Sequence, residues 1–184
     1  TMDTSSIKFG PGMTSELGFE MARLNCRRVL VVTDPNVAQL SVVEKALDSL
    51  HSKKIETTLF DQVEIEPTDS SLKEAIKFGE TGSFDGYIAV GGGSTIDTAK
   101  VINLYTSYPD DFLTYVNAPI GQGKSVPGPL KPLIAVPTTS GTGSEATGVA
   151  IFDFLEMNAK TGIADRSLRP TVGIIDPENL FTLP

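Results

Sequence analysis

Three stretches of the chain hold an unbroken apolar run: "RRVLVVTD" (27–34), "YIAV" (87–90) and "LIAVP" (133–137). A short unbroken apolar run bounded by turn residues reads as a strand buried on both faces. After the first run, Val37, Leu40, Val43, Leu47 and Leu50 recur at spacings of three and four, which predicts one face of a helix. "IETTLF" (55–60) is a second β-branched run, and "PTDSSLKEAIKFGETG" (67–82) frames a short helix with a Pro, capping residues and a closing Gly. Beyond "YIAV", Ile96, Ala99 and Ile102 or Asn103 mark one face of a further helix. Strand and helix alternate, so the pattern predicts an α/β fold: a parallel sheet with helices on both faces and right-handed crossovers.

The pattern then changes. "NAPIGQGKSVPGPLKP" (117–132) is rich in Gly and Pro and reads as a surface connection. After "LIAVP" the helical period stops, and "VAIFDF" (149–154), "TGIA" (161–164) and "VGIID" (172–176) make the tail more strand than helix. "PENLFTLP" (177–184) opens a final element on Pro177, a common first helical residue. No repeat or second domain boundary interrupts the series, so residues 1–184 read as one domain.

Composition narrows the function. A formal net charge of −8 works against a grip on phosphate backbones, so no nucleic acid partner is expected. The single cysteine, Cys26, excludes an internal disulfide and a cysteine metal cage, and it reads as a small buried apolar residue in a reducing compartment. No apolar stretch approaches the roughly 20 residues of a membrane span. The first residues have neither the apolar core of a secretory signal nor the Arg-rich, acid-poor character of a transit peptide, so no targeting segment is expected in this chain.

The candidate chemistry lies where strands end. Gly91, Gly92 and Gly93 follow "YIAV" and lead into a helix, whose N-terminus attracts anions while the glycines let a phosphate approach the backbone. Ser94 and Asp97 have the S-x-x-D spacing of a capping box, and a tight, well-capped turn is the plainer reading of the same residues. The turn is neither G-x-G-x-x-G nor a Walker A loop. Gly141, Gly143 and Ala146 do satisfy G-x-G-x-x-A, yet β-branched "VAIF" follows where that fingerprint needs a helix. The same segment supplies hydroxyls at Thr138, Thr139, Ser140, Thr142, Ser144 and Thr147. Asp34 suits a ribose hydroxyl and would repel a 2′-phosphate, favouring NAD over NADP; the alternative is a plain Asp-Pro turn.

"GGGSTIDTAK" (91–100) followed by "PTTSGTGSEAT" (137–147) resembles the signature pair of the iron-containing, group III alcohol dehydrogenases. "APIGQGKSVPGPLKPLIAVPTTSGTGSEATGVAIFDF" (118–154) and "AKTGIADRSLRP" (159–170) are similar to the hydroxyacid-oxoacid transhydrogenase branch. The resemblance implies a dinucleotide-binding α/β domain, similar to that of dehydroquinate synthase, joined to an all-helical domain whose Asp and three His bind Fe or Zn. Those metal ligands would follow residue 184. In the half seen here Gly92, Gly93 and Ser94, with Asp97 beside them, would hold the pyrophosphate of NAD, and Asp34 the adenine ribose. Thr138, Thr139 and Thr142 would line the dinucleotide groove, Thr147 and Val149 would lie beside the nicotinamide, and Lys160 would reach its ribose unless it is a solvated loop lysine.

The only histidine, His51, reads as solvent-facing and makes no metal site. The implied reaction passes hydride from 4-hydroxybutyrate to 2-oxoglutarate through bound NAD, with small carboxylates as substrates and no membrane partner. A carboxylate substrate calls for a cationic clamp, for which Arg166 and Arg169 are the candidates. The resemblance also implies a homo-oligomer and a mitochondrial setting, with the cytoplasm as the alternative. The rival readings are an NAD-dependent alcohol or polyol dehydrogenase of the same family, a dehydroquinate synthase-type lyase, and a nucleotide-binding module that is inactive alone.

Overall fold

The computed structural model describes residues 5–181. Six strands, β1 (Ser6–Phe9), β2 (Arg28–Val32), β3 (Glu56–Phe60), β4 (Gly86–Gly91), β5 (Leu133–Pro137) and β8 (Val172–Ile175), form one sheet in the order β1-β8-β5-β4-β2-β3. Every pairing in it is parallel. The strands β6 (Val149–Phe154) and β7 (Ala159–Ala164) stand apart as an antiparallel hairpin. The helices are α1 (Leu17–Arg23), α2 (Ser41–Ser52), α3 (Asp69–Glu80) and α4 (Gly93–Ser107).

The apolar runs are unbroken because both faces of the sheet are covered. Val29, Val31, Ile88, Val90, Ile134 and Val136 pack with Leu17 and Met21 of α1 and Val43, Ala46 and Leu50 of α2. The alternate residues Leu30, Val32, Tyr87, Ala89, Leu133 and Ala135 pack with Ala75 of α3 and Ile96, Ala99 and Ile102 of α4. α3 starts as its sequence predicts, with the Thr68 hydroxyl accepting from Ser71 N–H and the Ser71 hydroxyl accepting from Thr68 N–H. Cys26 is a buried free thiol pushed up to about 11, first by burial and then by nearby Asp85.

Several expectations are corrected. The stretch read as helix from Val37 begins only at Ser41, since Val37–Gln39 form a separate 3₁₀ turn and Leu40 is extended. α4 is buried on more than the one face predicted: Val101, Leu104 and Tyr105 pack against Ala150, Phe152 and Phe154 of the hairpin. The tail strands divide, β8 joining the sheet and β6–β7 covering α4. β1 and α1, at four and seven residues, were too short to show a period. Residues 117–132 do form a connection without a buried residue. Pro177 opens a 3₁₀ turn, Pro177–Leu180, which Phe181 closes, and the last three residues of "PENLFTLP", 182–184, lie outside the described residues.

Candidate functional site

The chain reverses direction across the sheet between β2 and β4. From β2 it crosses by α2 to β3 at the edge, then returns by α3 on the opposite face to β4 on the other side of β2. At such a switch point the connections leave in opposite directions and open a crevice at the carboxyl ends, where ligands sit in open α/β sheets. β5 lies directly beyond β4, so the three strand ends named from sequence are neighbours. Thr33 ties two of them together, its hydroxyl donating to the Val90 carbonyl at 2.7 Å.

Asp34 follows β2. Its Oδ1 accepts from the N–H groups of Asn36 and Val37 at 2.9 and 3.0 Å, so the Asp-Pro turn read from sequence is real. Asp34 also lines the main cavity.

The glycine turn closes β4. A Cβ at Gly91 would fall 2.4 Å from Thr95 Oγ1, and one at Gly93 would fall 3.0 Å from Thr142 Cγ2. Packing within this chain therefore accounts for two of the three glycines. Gly92 differs: its φ of −77° is open to any residue, and a Cβ would touch only Thr139, at 3.4 Å.

The expected capping box is absent. α4 has Gly92 at its N-cap, no side chain caps it, and its first turn holds no carboxylate. The first helical bond runs from Ile96 N–H to the Gly92 carbonyl, ahead of which stand the N–H groups of Gly93, Ser94 and Thr95. Ser94 gives its hydroxyl to the Ile65 carbonyl instead. Asp97 turns away, accepting from Ile151 N–H at 3.1 Å and lying 3.4 Å from the buried Lys100 Nζ. Tertiary partners outcompete the local cap at both residues. Burial raises the Asp97 carboxyl above its ordinary range and lowers the Lys100 ammonium, each opposed by the other's charge.

The hydroxyl loop follows β5. Gly141 and Gly143 take φ of +112° and +68°, and β6 rather than a helix follows, so the G-x-G-x-x-A match has no fingerprint geometry. Thr139 Oγ1 is buried and lacks a hydrogen-bond partner. An orphaned hydroxyl costs about 1–3 kcal/mol unless something meets it.

These pieces meet in one cavity of about 800 Å³. Asp34, Gly92, Gly93, Ser94, Thr138, Thr139 and Thr142 line its polar part. Val37, Leu40, Val63 and Ile65 line an apolar part that the sequence reading missed. Val37 and Leu40 share the helical spacing of Val43, Leu47 and Leu50, and the V-x-I of "DQVEIEP" (61–67) is the local signal for Val63 and Ile65. Val149 and Lys160 line a second hollow of about 690 Å³ on the hairpin. Lys160 lies on β7 rather than in a loop, exposed and 3.6 Å from Asp153. Thr147, Asp97, Arg166 and Arg169 line neither. His51 is exposed beside the Thr57 hydroxyl, and no group of metal-ligating side chains occurs among the described residues. No helix among them is long and apolar enough to cross a membrane.

A doubly covered parallel sheet with a cavity at its switch point, beside an uncapped helix N-terminus, defines an open α/β protein. The chain belongs to the iron-containing alcohol dehydrogenase family, whose model matches residues 4–177. It is 55% identical over all 184 residues to the mitochondrial hydroxyacid-oxoacid transhydrogenase of Xenopus laevis and 53% identical to that of Homo sapiens. It spans 40% and 39% of their lengths. A 1,3-propanediol oxidoreductase structure superposes with a TM-score of 0.89 at 29% identity, covering 100% of this chain and 48% of that one. The sulfoacetaldehyde reductase of Bifidobacterium kashiwanohense, in complex with NAD+, gives 0.88 at 25% identity, covering 98% and 46%.

Proposed function

We propose that this chain is the NAD-holding part of a hydroxyacid-oxoacid transhydrogenase, which moves hydride from a hydroxy acid such as 4-hydroxybutyrate to an oxo acid such as 2-oxoglutarate. The observation that carries the reading is the single cavity joining Asp34, the uncapped start of α4 and the orphaned Thr139 hydroxyl. The free N–H groups of Gly93, Ser94 and Thr95 and the α4 dipole receive the diphosphate. Val37, Leu40, Val63 and Ile65 clasp a flat apolar base, and Asp34 accepts from the adjoining ribose. Thr138, Thr139 and Thr142 offer hydroxyls along the chain of the dinucleotide, and Val149 and Lys160, which line the hairpin hollow, face its nicotinamide end. NAD supplies the hydride acceptor and donor. The described residues contain no ligand set for the iron the family name implies, and no step here runs through a metal. The substrate class and a mitochondrial setting are supported by the names of the relatives at 52–55% identity.

The full-length protein, purified without added nucleotide, should consume 4-hydroxybutyrate only when 2-oxoglutarate is present and release NAD on denaturation. Oxidation that ignores 2-oxoglutarate and needs stoichiometric external NAD would instead make it an alcohol dehydrogenase of the same family. Absence of released NAD, together with absence of calorimetric heat with NAD and NADP in protein stripped of nucleotide, would remove the cofactor assignment altogether.

Asp34→Asn isolates the charge, because an amide oxygen can still accept from Asn36 and Val37. The preference for NAD over NADP should narrow by about tenfold or more, with little change in melting temperature. An unchanged preference would show that Asp34 only builds its turn.

A further inference from the structure

The hairpin strand β6 pairs with β7 along one edge only. On its other edge the outward backbone groups of Val149, Ile151 and Asp153, and of Leu155 just beyond it, face no second strand of the hairpin. One group of each residue is met, from α4, from α3 or from the turn that leads into α3. Lys100 Nζ donates to the Val149 carbonyl at 2.7 Å, and Ile151 N–H donates to Asp97 Oδ2 at 3.1 Å. Asp153 N–H reaches the Pro67 carbonyl at 2.8 Å, and Leu155 N–H reaches Asp69 Oδ1 at 3.2 Å. The two residues that α4 holds, Val149 and Ile151, are also the two β6 residues whose side chains line the hairpin hollow with Lys160.

Lys100 has no exposed side-chain surface. A buried ion pair of this kind is commonly no better for stability than apolar residues of similar volume. Direction is what it does supply. The first turn of α4 presents N–H groups to the main cavity, and its second grips the backbone beneath the hollow.

We infer that Asp97 and Lys100 are positioning residues, which hold the hairpin at a set distance from the glycine turn and so align the nicotinamide end of the dinucleotide with its diphosphate. The inference rests on the NAD reading above. Neither residue touches the cofactor; both act through Val149 and Ile151.

The test compares Asp97→Ala, Asp97→Asn and the double variant Asp97→Leu/Lys100→Met in the full-length protein. The readouts are NAD affinity by calorimetry, single-turnover hydride transfer by nicotinamide absorbance, and amide exchange across 149–155. Asp97→Ala should slow transfer by about tenfold or more and speed exchange at Ile151, with NAD affinity kept within about threefold. Asp97→Asn keeps an oxygen for Ile151 N–H and should restore transfer to within about threefold of the parent. The double variant keeps the volume apolar, so it reads the effect even if Asp97→Ala fails to fold; it should bind NAD and transfer hydride slowly. Transfer at the parental rate in the double variant would overturn the inference, as would Asn behaving like Ala or affinity falling in step with rate. A parent protein that binds no NAD would overturn the cofactor reading first, and is told apart by that measurement alone.

Discussion

Gly92→Asp should leave the protein folded and strip it of its hold on NAD. Gly92 has extended backbone angles, and a Cβ there meets only Thr139 at an ordinary contact distance, so the side chain can be built without strain. Asp is among the best N-cap residues, and α4 has no side-chain cap, so the helix itself should gain about a few tenths of a kcal/mol. The same carboxylate would occupy the N–H groups proposed for the diphosphate and repel it. At about 4 Å and an effective dielectric of about 20, one pair of like charges costs about 4 kcal/mol, on the order of a thousandfold in affinity. Calorimetry with NAD beside a thermal melt separates the two effects. Parental affinity in a folded Gly92→Asp protein would place the diphosphate elsewhere. Gly93→Ala is not a clean substitute, since its Cβ would press on Thr142 and disturb the loop directly.

The second large effect is on stability. Asp176, at the end of β8, is 1% exposed and accepts from Gly12 N–H, Thr14 N–H, the Thr14 hydroxyl and Glu178 N–H, at 2.8 to 3.1 Å. It fastens the loop after β1 to the turn after β8. Asp176→Ala leaves those donors facing a void, at a cost of about 3 kcal/mol or more. Burial pushes the Asp176 carboxyl up, but the bonds from Thr14, Glu178 and Gly12 outweigh it and hold it below its usual 3.8. A carboxyl lowered by folding stabilises fully above its unfolded pKa, and that contribution fades as pH falls through the folded value. The parent's advantage over Asp176→Ala should therefore shrink below about pH 4. Urea unfolding at a series of pH values reads this directly. A difference constant from neutral pH to pH 3 would contradict the charged role. Glu20, Asp69 and Asp165 are lowered as well, so the variant itself stays acid-sensitive.

Local composition determined a good deal. "VLVV", "YIAV" and "LIAV" announced strands covered on both faces because a sheet buried twice needs apolar residues at every position, and the glycine turn and hydroxyl loop announced themselves by residue type. Features with long-range partners were silent. Ser94 and Asp97 have a local cap spacing, yet their partners, Ile65 and Ile151, lie 29 and 54 residues away. Nothing local marks Lys100, between Ala99 and Val101, as buried; it is covered by a hairpin whose first strand begins 49 residues further on. The apolar lining at Val37 and Leu40 was legible only as a helix face, because which side of β2 the chain returns to is settled by how α2 and α3 pack on opposite faces of the sheet. That packing is an energy of whole layers, which no window of sequence contains, and it alone brought the ends of β2, β4 and β5 side by side.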